Sequence, residues 1–351
     1  MPPAEDKKEF VSVPPANDPS AVERKKDHIE LAFRSQEGNS GTDSRFYYEP
    51  MLAAHPTDLP VKNFLGKTMR APLWISSMTG GTALAGIINR NLAQACSEFG
   101  LGMGLGSCRS LLYSDEYFED FNLRPIIGAE LPFYANLGIA QVEQLIQKGE
   151  LQRAVDLVGK LGADGLIVHV NPFQEWLQPE GDKLTQSPLE TIQQLLDKVQ
   201  LKIIVKEVGQ GMGPASLKAL LQLPLAAIDF AAHGGTNFSR LELLRSSPQR
   251  QQLYENLAQQ GHSAVEMTQM ANKLFTELGD KALVKEVIIS GGIKNFLDGY
   301  YLLETIKCNA IYGQGSAMLE HAKENYKDLQ SYITSQIEGL KIAKAYLKVN
   351  G

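Results

Sequence analysis

Residues 165–209 read GLIVHVNPFQEWLQPEGDKLTQSPLETIQQLLDKVQLKIIVKEVG and hold one complete structural unit. An apolar run, Gly165–His169, ends on a polar group. A segment with apolar residues at helical spacing, Pro188–Val199, follows. A second apolar run, Lys202–Lys206, again ends polar. Strand, helix, strand in that order calls for a right-handed crossover and a parallel sheet. The same rhythm runs outward in both directions from Pro72. Strands are predicted at Leu73–Ser76, Leu101–Leu105, Phe133–Asn136, Ala227–Phe230, Glu286–Ile289 and Ala310–Tyr312 as well, which makes eight. Helical patterns between them include Leu84–Phe99, Leu151–Leu161, Pro214–Leu221, Ala264–Leu278, Leu297–Thr305 and Ala317–Ala345. Eight β/α units in roughly 280 residues suit a closed (β/α)8 TIM barrel. A doubly wound sheet would want its glycine fingerprint complete, and Gly102, Gly104 and Gly106 lack the later glycine.

The remaining segments frame this barrel. Residues 1–20 are rich in proline and read as a mobile tail. A short charged helix is predicted from Ala21 to Ser35, with a polar loop after it. Asn237–Ser263, between the sixth and seventh strands, is polar and reads as a lid or helical insertion. The chain has 351 residues, 43% hydrophobic and 21% charged, with a formal net charge of −6. That balance offers nucleic acid and anionic membranes no electrostatic footing. Three unpatterned cysteines (Cys96, Cys108, Cys308) exclude a zinc framework and argue for a reducing compartment. With no signal pattern and no span-length apolar run, a cytoplasmic location is expected.

Polar chemistry collects where the strands end, the face on which barrel active sites are built. Ser76-Ser77-Met78-Thr79 follows the first strand, Gly106-Ser107-Cys108-Arg109 the second, and Asn136-Leu137-Gly138 the third. The fourth runs into His169-Val170-Asn171-Pro172-Phe173-Gln174-Glu175, the fifth into Lys206-Glu207, and the sixth into His233-Gly234-Gly235-Thr236. Ser290-Gly291-Gly292 and Gly313-Gln314-Gly315-Ser316 end the last two. Small residues there let backbone N–H groups approach phosphate oxygens, as a phosphorylated cofactor such as FMN or a sugar-phosphate substrate would need. Three roles stay open for Lys206: a Schiff base, a counter-charge for reduced flavin, or a pair with Glu207 or another carboxylate. Glu175 is a hard oxygen donor of the kind Mg2+ takes when a diphosphate and water complete its shell. Arg24-Lys25-Lys26-Asp27-His28 reads as a solvated helix face or a basic segment able to close over an anion.

Taken in order, Arg-Lys-x-x-His-Ile, Ser-Met-Thr-Gly-Gly, Gly-Ser-x-Arg, Asn-Leu-Gly, His-x-Asn-Pro-x-Gln-Glu, Pro-Glu-Gly-Asp, Val-Lys-Glu-Val-Gly, Gly-Gly-Thr-Asn and Ser-Gly-Gly-Ile resemble the flavin-dependent, type 2 isopentenyl-diphosphate isomerases from Arg24 to Ser316. The resemblance implies that Ser76, Ser77, Met78, Thr79, Ser107, Asn136, Lys206 and Thr236 hold FMN. Gly292, Ile293, Lys294, Gly315 and Ser316 would cradle its phosphate. It likewise implies that Arg24, Lys25, His28, Ser107, Arg109, His169, Asn171 and Gln174 bind the substrate, that Glu175 carries Mg2+, and that Gln174 and Glu242 assist proton movement. Residues 21–60 would be the segment that closes over the substrate, with residues 61–351 forming the barrel. NADPH or another reductant would prime the flavin, and the family suggests a homo-oligomer, a tetramer or octamer. Lys294 stands where arginine is common, exchanging a bidentate fork for a point charge. Phe238 replaces a usual tryptophan, and Ala232-His233 stands where Gly-Arg is frequent. The implied reaction moves the double bond of isopentenyl diphosphate without net redox change. A second reading is an FMN-dependent α-hydroxy-acid dehydrogenase or oxidase with His233 as base, and a third is a phosphate-ligand sensor.

Overall fold

A computed structural model describes residues 21–36, 41–76, 79–80 and 82–350. The chain divides into two compact units, Met1–Ser44 and Arg45–Gly351. In the first, helix Ala21–Leu31 carries Arg24, Lys25 and His28, all exposed. Lys26 and Glu30 face each other across one turn at 3.7 Å. Part of the predicted loop, residues 37–40, lies outside the described residues, as does the tail before Ala21.

The second unit is built on eight parallel strands closed into a barrel. They are Leu73–Ser76, Gly102–Gly104, Phe133–Gly138, Gly165–His169, Ile203–Lys206, Ala227–Asp229, Glu286–Ser290 and Asn309–Gln314, numbered here one to eight. Strand order follows chain order, and closure pairs Tyr312 with Leu73. All eight predicted strands form. So do helices Ala83–Phe99, Gln152–Lys160, Pro188–Lys198, Pro214–Leu221, Ala264–Leu278 and Phe296–Thr305, near their expected bounds. The last predicted helix is two, Ser316–Ala322 and Tyr326–Tyr346. Asn325 divides them, its side chain accepting the Asp328 N–H to cap the second. The insertion after strand six is helical, Phe238–Arg245 and Pro248–Ala258. Among the described residues no helix is long and apolar enough to cross a membrane.

Among the described residues two large apolar clusters hold the unit together, with a third, small one at Leu177, Leu243 and Ala258. One lies between the strands and the surrounding helices. The other fills the barrel and contains Trp74, Tyr134, Ile167, Ile204, Ile288 and Ile311. Its lower end is closed by the hairpin Lys62–Phe64/Lys67–Met69, which inserts Phe64, Leu65 and Met69. Glu286 fixes that plug by accepting the Leu65 N–H at 2.8 Å. The GxGxG run has a packing explanation. A Cβ at Gly102 would stand 2.5 Å from the Trp74 ring, and one at Gly104 2.5 Å from Ile167 Cδ1. These glycines make room for large residues inside the barrel. Strand Phe46–Tyr48 pairs antiparallel with Leu347–Val349 and so ties the start of this unit to its end.

Candidate active site

Pairing registers sort the inward side chains into layers of four, each drawn from alternate strands. Trp74, Tyr134, Ile204 and Ile288 make an apolar layer from the odd strands. Above it, the even strands supply Gly104, Ile167, Asp229 and Gly313. The odd strands then supply Ser76, Asn136, Lys206 and Ser290, and the even ones Gly106, His169, Ala231 and Gly315. These last two layers, eight small or polar residues, form the floor and lower wall of a cavity of about 420 Å3 at the carboxyl ends of the strands.

The floor is wired by short hydrogen bonds. Asn136 Nδ2 donates to the Leu105 carbonyl at 2.8 Å, which turns its Oδ1 toward His169 Nδ1, also at 2.8 Å. An amide oxygen can only accept, so His169 carries its proton on Nδ1 and offers Nε2 as a lone pair. Burial, aided by the positive charge of Lys206, pulls the His169 pKa down to about 4, so the ring is neutral. Lys206 Nζ donates to the Glu207 carbonyl at 2.8 Å. The Glu207 carboxylate turns away and accepts N–H groups of Gly209, Gln210 and Gly211 at 2.7, 2.6 and 2.9 Å. Burial still pushes its pKa up, against those donors. The expected alternative of a Lys206–Glu207 side-chain pair is therefore not what forms.

Glycines shape the far wall. Gly291 has φ +92°, and a Cβ there would lie 2.1 Å from the Ala232 carbonyl oxygen. Gly292, Ile293, Lys294, Gly315 and Ser316 line the same wall with Gly234 and Gly235. Lys294 is exposed at its rim, and its N–H is held by Asp298 at 3.0 Å. Helix Ser316–Ala322 has only seven residues, so backbone N–H groups and Lys294, more than a long helix dipole, supply the positive potential here.

A second network stands beside the cavity, on helices Pro172–Leu177 and Phe238–Arg245. Gln174 lines the cavity and points Nε2 at Glu242 Oε1, 3.4 Å away. Glu242 is 3% exposed, and its other oxygen receives Arg245 Nη1 at 2.6 Å. Arg245 Nη2 reaches on to Glu180 at 2.8 Å. Asn171 Nδ2 donates to Gln174 and to Glu175 Oε1, both at 3.0 Å. The Asp182 N–H donates to Glu175 Oε2 at 2.8 Å. Asp182 in turn accepts Arg109 Nη1 at 2.9 Å. The Pro-Glu-Gly-Asp loop is thus stapled at both ends by arginines. Among the described residues no three His, Cys, Asp or Glu side chains converge to hold a metal. Glu175 keeps a second lone pair on each oxygen, so it fits a cation whose remaining ligands come from a bound anion and water.

Of the residues singled out in the sequence, the cavity gathers Ser76, Ser107, Asn136, His169, Gln174, Lys206, Thr236, Gly292, Ile293, Lys294, Gly315 and Ser316. Asn171, Glu175, Glu242 and Arg109 sit in the adjoining network. Thr79 does not line the cavity; its backbone packs against Gly106, which does. Ser77 and Met78 lie outside the described residues, and Arg24, Lys25 and His28 belong to the first unit. His233 is exposed and off the cavity wall, its N–H bonded to the His262 carbonyl at 2.8 Å. Ser290, Gly291 and Gly313, marked in the sequence as strand ends but given no role of their own, also line the cavity, whereas Asp229 beneath it was missed. The Ser-Gly-Gly strand end and an aspartate inside the apolar run Ala-Ile-Asp-Phe were the available signals.

The fold and cavity define a (β/α)8-barrel enzyme with a polar floor and a glycine-lined, cationic wall suited to an anionic ligand. The chain is 33% identical over 339 residues to the isopentenyl-diphosphate delta-isomerase of Rickettsia felis, covering 93% of both chains. It is 32% identical over 328 residues to the protein of that name from Rickettsia prowazekii, covering 92% of both. It belongs to the isopentenyl-diphosphate delta-isomerase family, whose members are isomerases. No protein-family model matches the chain. In fold it is similar to a flavocytochrome b2 variant with sulfite bound, at a TM-score of 0.58 and 15% identity over 90% of this chain and 78% of that one. It is also similar to a mandelate oxidase mutant with a monooxide FMN adduct, at 0.52 and 11% over 94% and 99%.

Proposed function

We propose that this chain converts isopentenyl diphosphate to dimethylallyl diphosphate as a type 2 isomerase, with FMN in the barrel cavity and Mg2+ on the substrate's diphosphate. The names of its relatives support the reaction, and the flavoenzymes that share its fold support the cofactor. The observation that carries the cofactor assignment is the two-layer floor of Ser76, Asn136, Lys206, Ser290, Gly106, His169, Ala231 and Gly315. Its fit is specific. Ser76 Oγ is buried without a partner among the described residues, and Gly291 and Gly292 give the wall a stretch without side chains, which supports a phosphate there.

An unactivated alkene is a weak base, and its protonation builds a tertiary cation that water would capture. Reduced FMN would supply a flat, electron-rich surface and a proton-exchanging edge next to the alkene. The chain's own residues do the rest. Lys206 would supply a positive charge to the bound flavin, while Gly291, Gly292, Lys294 and Ser316 would hold its phosphate. Neutral His169, Asn171 and Gln174 orient the substrate. His169 offers a lone pair, so it donates to a diphosphate oxygen only after taking up a proton at Nε2. Glu242, with Gln174 donating to it, would assist proton movement beside the cavity, and Glu175 would anchor Mg2+. NADPH or a similar donor would reduce the flavin at the outset. The hydroxy-acid reading is weaker, because its histidine base, His233, stands outside the cavity. The test is FMN titration of the apoprotein followed by isomerisation of labelled isopentenyl diphosphate. Binding with product formation is expected. Binding and reduction without product would end this reading.

A further inference from the structure

Asp229 has no place in the reaction just described, yet among the described residues it is the acidic side chain directly beneath the cavity floor, its pKa pushed up by burial against the pull of Lys206 and the Ser290 and Ala231 donors. It is 0% exposed. Its layer-mates are Gly104, Ile167 and Gly313, none of which can pair with a carboxylate through a side chain. Oδ1 accepts the Ser290 hydroxyl and, at 3.4 Å, the Ala231 N–H. Oδ2 has no hydrogen-bond partner among the described residues. An orphaned buried carboxylate oxygen costs free energy unless another charge offsets it. The nearest source is Lys206, the register partner of Asp229 on the adjoining strand. Lys206 is held above by the Glu207 carbonyl and does not form a direct ion pair with the acid. The other titratable groups facing Lys206 are His169 on strand four and Glu207 at the end of its own strand. His169 is neutral, and the Glu207 carboxylate is engaged by three N–H groups.

Ala231 adds a second sign of design around the acid. It adopts φ +41°, the left-handed region, although it is not glycine. Its N–H is held there by Ser290 Oγ at 3.0 Å, the same hydroxyl that serves Asp229. Ser290 and Ala231 both line the cavity, so the strained backbone, the hydroxyl and the acid form one unit at the base of the cavity.

We infer that Asp229 is a positioning residue that tempers the charge Lys206 presents to the cavity, and so sets how strongly the site favours the anionic, reduced form of FMN. The inference rests on the FMN reading given above. With the acid in place, Lys206 and Asp229 act on the flavin as a dipole; without it, Lys206 acts as a bare cation.

The experiment measures FMN affinity in the oxidised and reduced states for the full-length wild type and Asp229→Asn, an isosteric change. The variant should favour the reduced form about tenfold more than wild type does, which is ~30 mV upward for a two-electron couple. An unchanged or lowered potential alongside a loss of thermal stability would make Asp229 merely structural and overturn the inference. A second arm needs no flavin. Lys206→Met strands the carboxylate and should lower the melting temperature of the apoprotein, and adding Asp229→Asn should restore at least half of that loss. Losses that simply add would overturn the inference, as would a double variant that fails to fold although Asp229→Asn alone folds. Wild type that binds no FMN would defeat the cofactor reading instead, leaving the apoprotein arm to decide the pairing.

Discussion

His169→Gln tests the electrostatics of the cavity floor through stability alone. In wild type the imidazole is half-buried on the cavity floor beside Lys206, and its pKa is pulled from 6.5 down to about 4. A group that takes up its proton less readily when folded stabilises the fold above its unfolded pKa, and that stability is lost as pH falls toward the folded value. Every tenfold weakening of proton affinity on folding corresponds to about 1.4 kcal/mol, so wild type should lose about 3 kcal/mol from this group between pH 7 and pH 4. Roughly two-thirds of that loss should be complete by pH 5. Glutamine keeps a donor for Asn136 Oδ1 but does not titrate. At pH 7 the variant should be about 1 kcal/mol less stable than wild type, the worth of an imperfectly replaced hydrogen bond. The two stability curves should therefore cross between pH 5 and 6. Urea unfolding of the FMN-free proteins, repeated from pH 4.5 to 8, gives the comparison directly. Parallel curves with a constant offset would refute both the neutral imidazole and the proximity of Lys206.

The other predictions concern the wall and the side network. Gly291→Ala puts a Cβ 2.1 Å from a backbone carbonyl, at φ +92°. It should abolish FMN binding and cost about 3 kcal/mol or more in unfolding. Gly149→Ala, also at positive φ but facing open space, should cost only about 1 kcal/mol. Arg245→Met removes the cation from buried Glu242 and should lower kcat by at least tenfold with KM changed less. Glu180→Gln, which breaks only the exposed half of that bridge, should leave kcat within about twofold, since exposed pairs contribute little. Equal effects from the two variants in steady-state kinetics would show that Arg245 acts through the loop and not through Glu242. Glu175→Gln should raise the Mg2+ concentration needed for half-maximal rate at least tenfold with FMN affinity unchanged, read by metal titration.

The barrel was legible because its signal is redundant. Each strand is a short apolar run with a polar end, and eight repeats of that pattern leave little freedom. Strand limits shifted by a few residues, as at Gly102–Gly104, because strand ends depend on the register of neighbours. The break at Asn325 was hidden for another reason. Its apolar spacing continues across the cap, and only a side chain accepting the Asp328 N–H interrupts the helix. The hairpin plug could not be read at all, since Phe64, Leu65 and Met69 look like any short amphipathic pair until a barrel end needs filling. Much the same separates the seen from the unseen in the site. Residues at strand ends announced themselves. Asp229 did not, because its meaning comes from layer-mates on three other strands, and neither did the neutral state of His169, which comes from burial aided by the charge of Lys206.

Isomerisation by a flavin that is not consumed is tested most directly by the ratio of product formed to reductant oxidised. Purified protein would be given FMN, Mg2+, labelled isopentenyl diphosphate and excess NADPH under anaerobic conditions. Many equivalents of dimethylallyl diphosphate per NADPH oxidised are expected, and none when FMN is left out of the apoprotein. One NADPH consumed per turnover, or flavin reduced by an α-hydroxy acid with no dimethylallyl diphosphate formed, would contradict that mechanism.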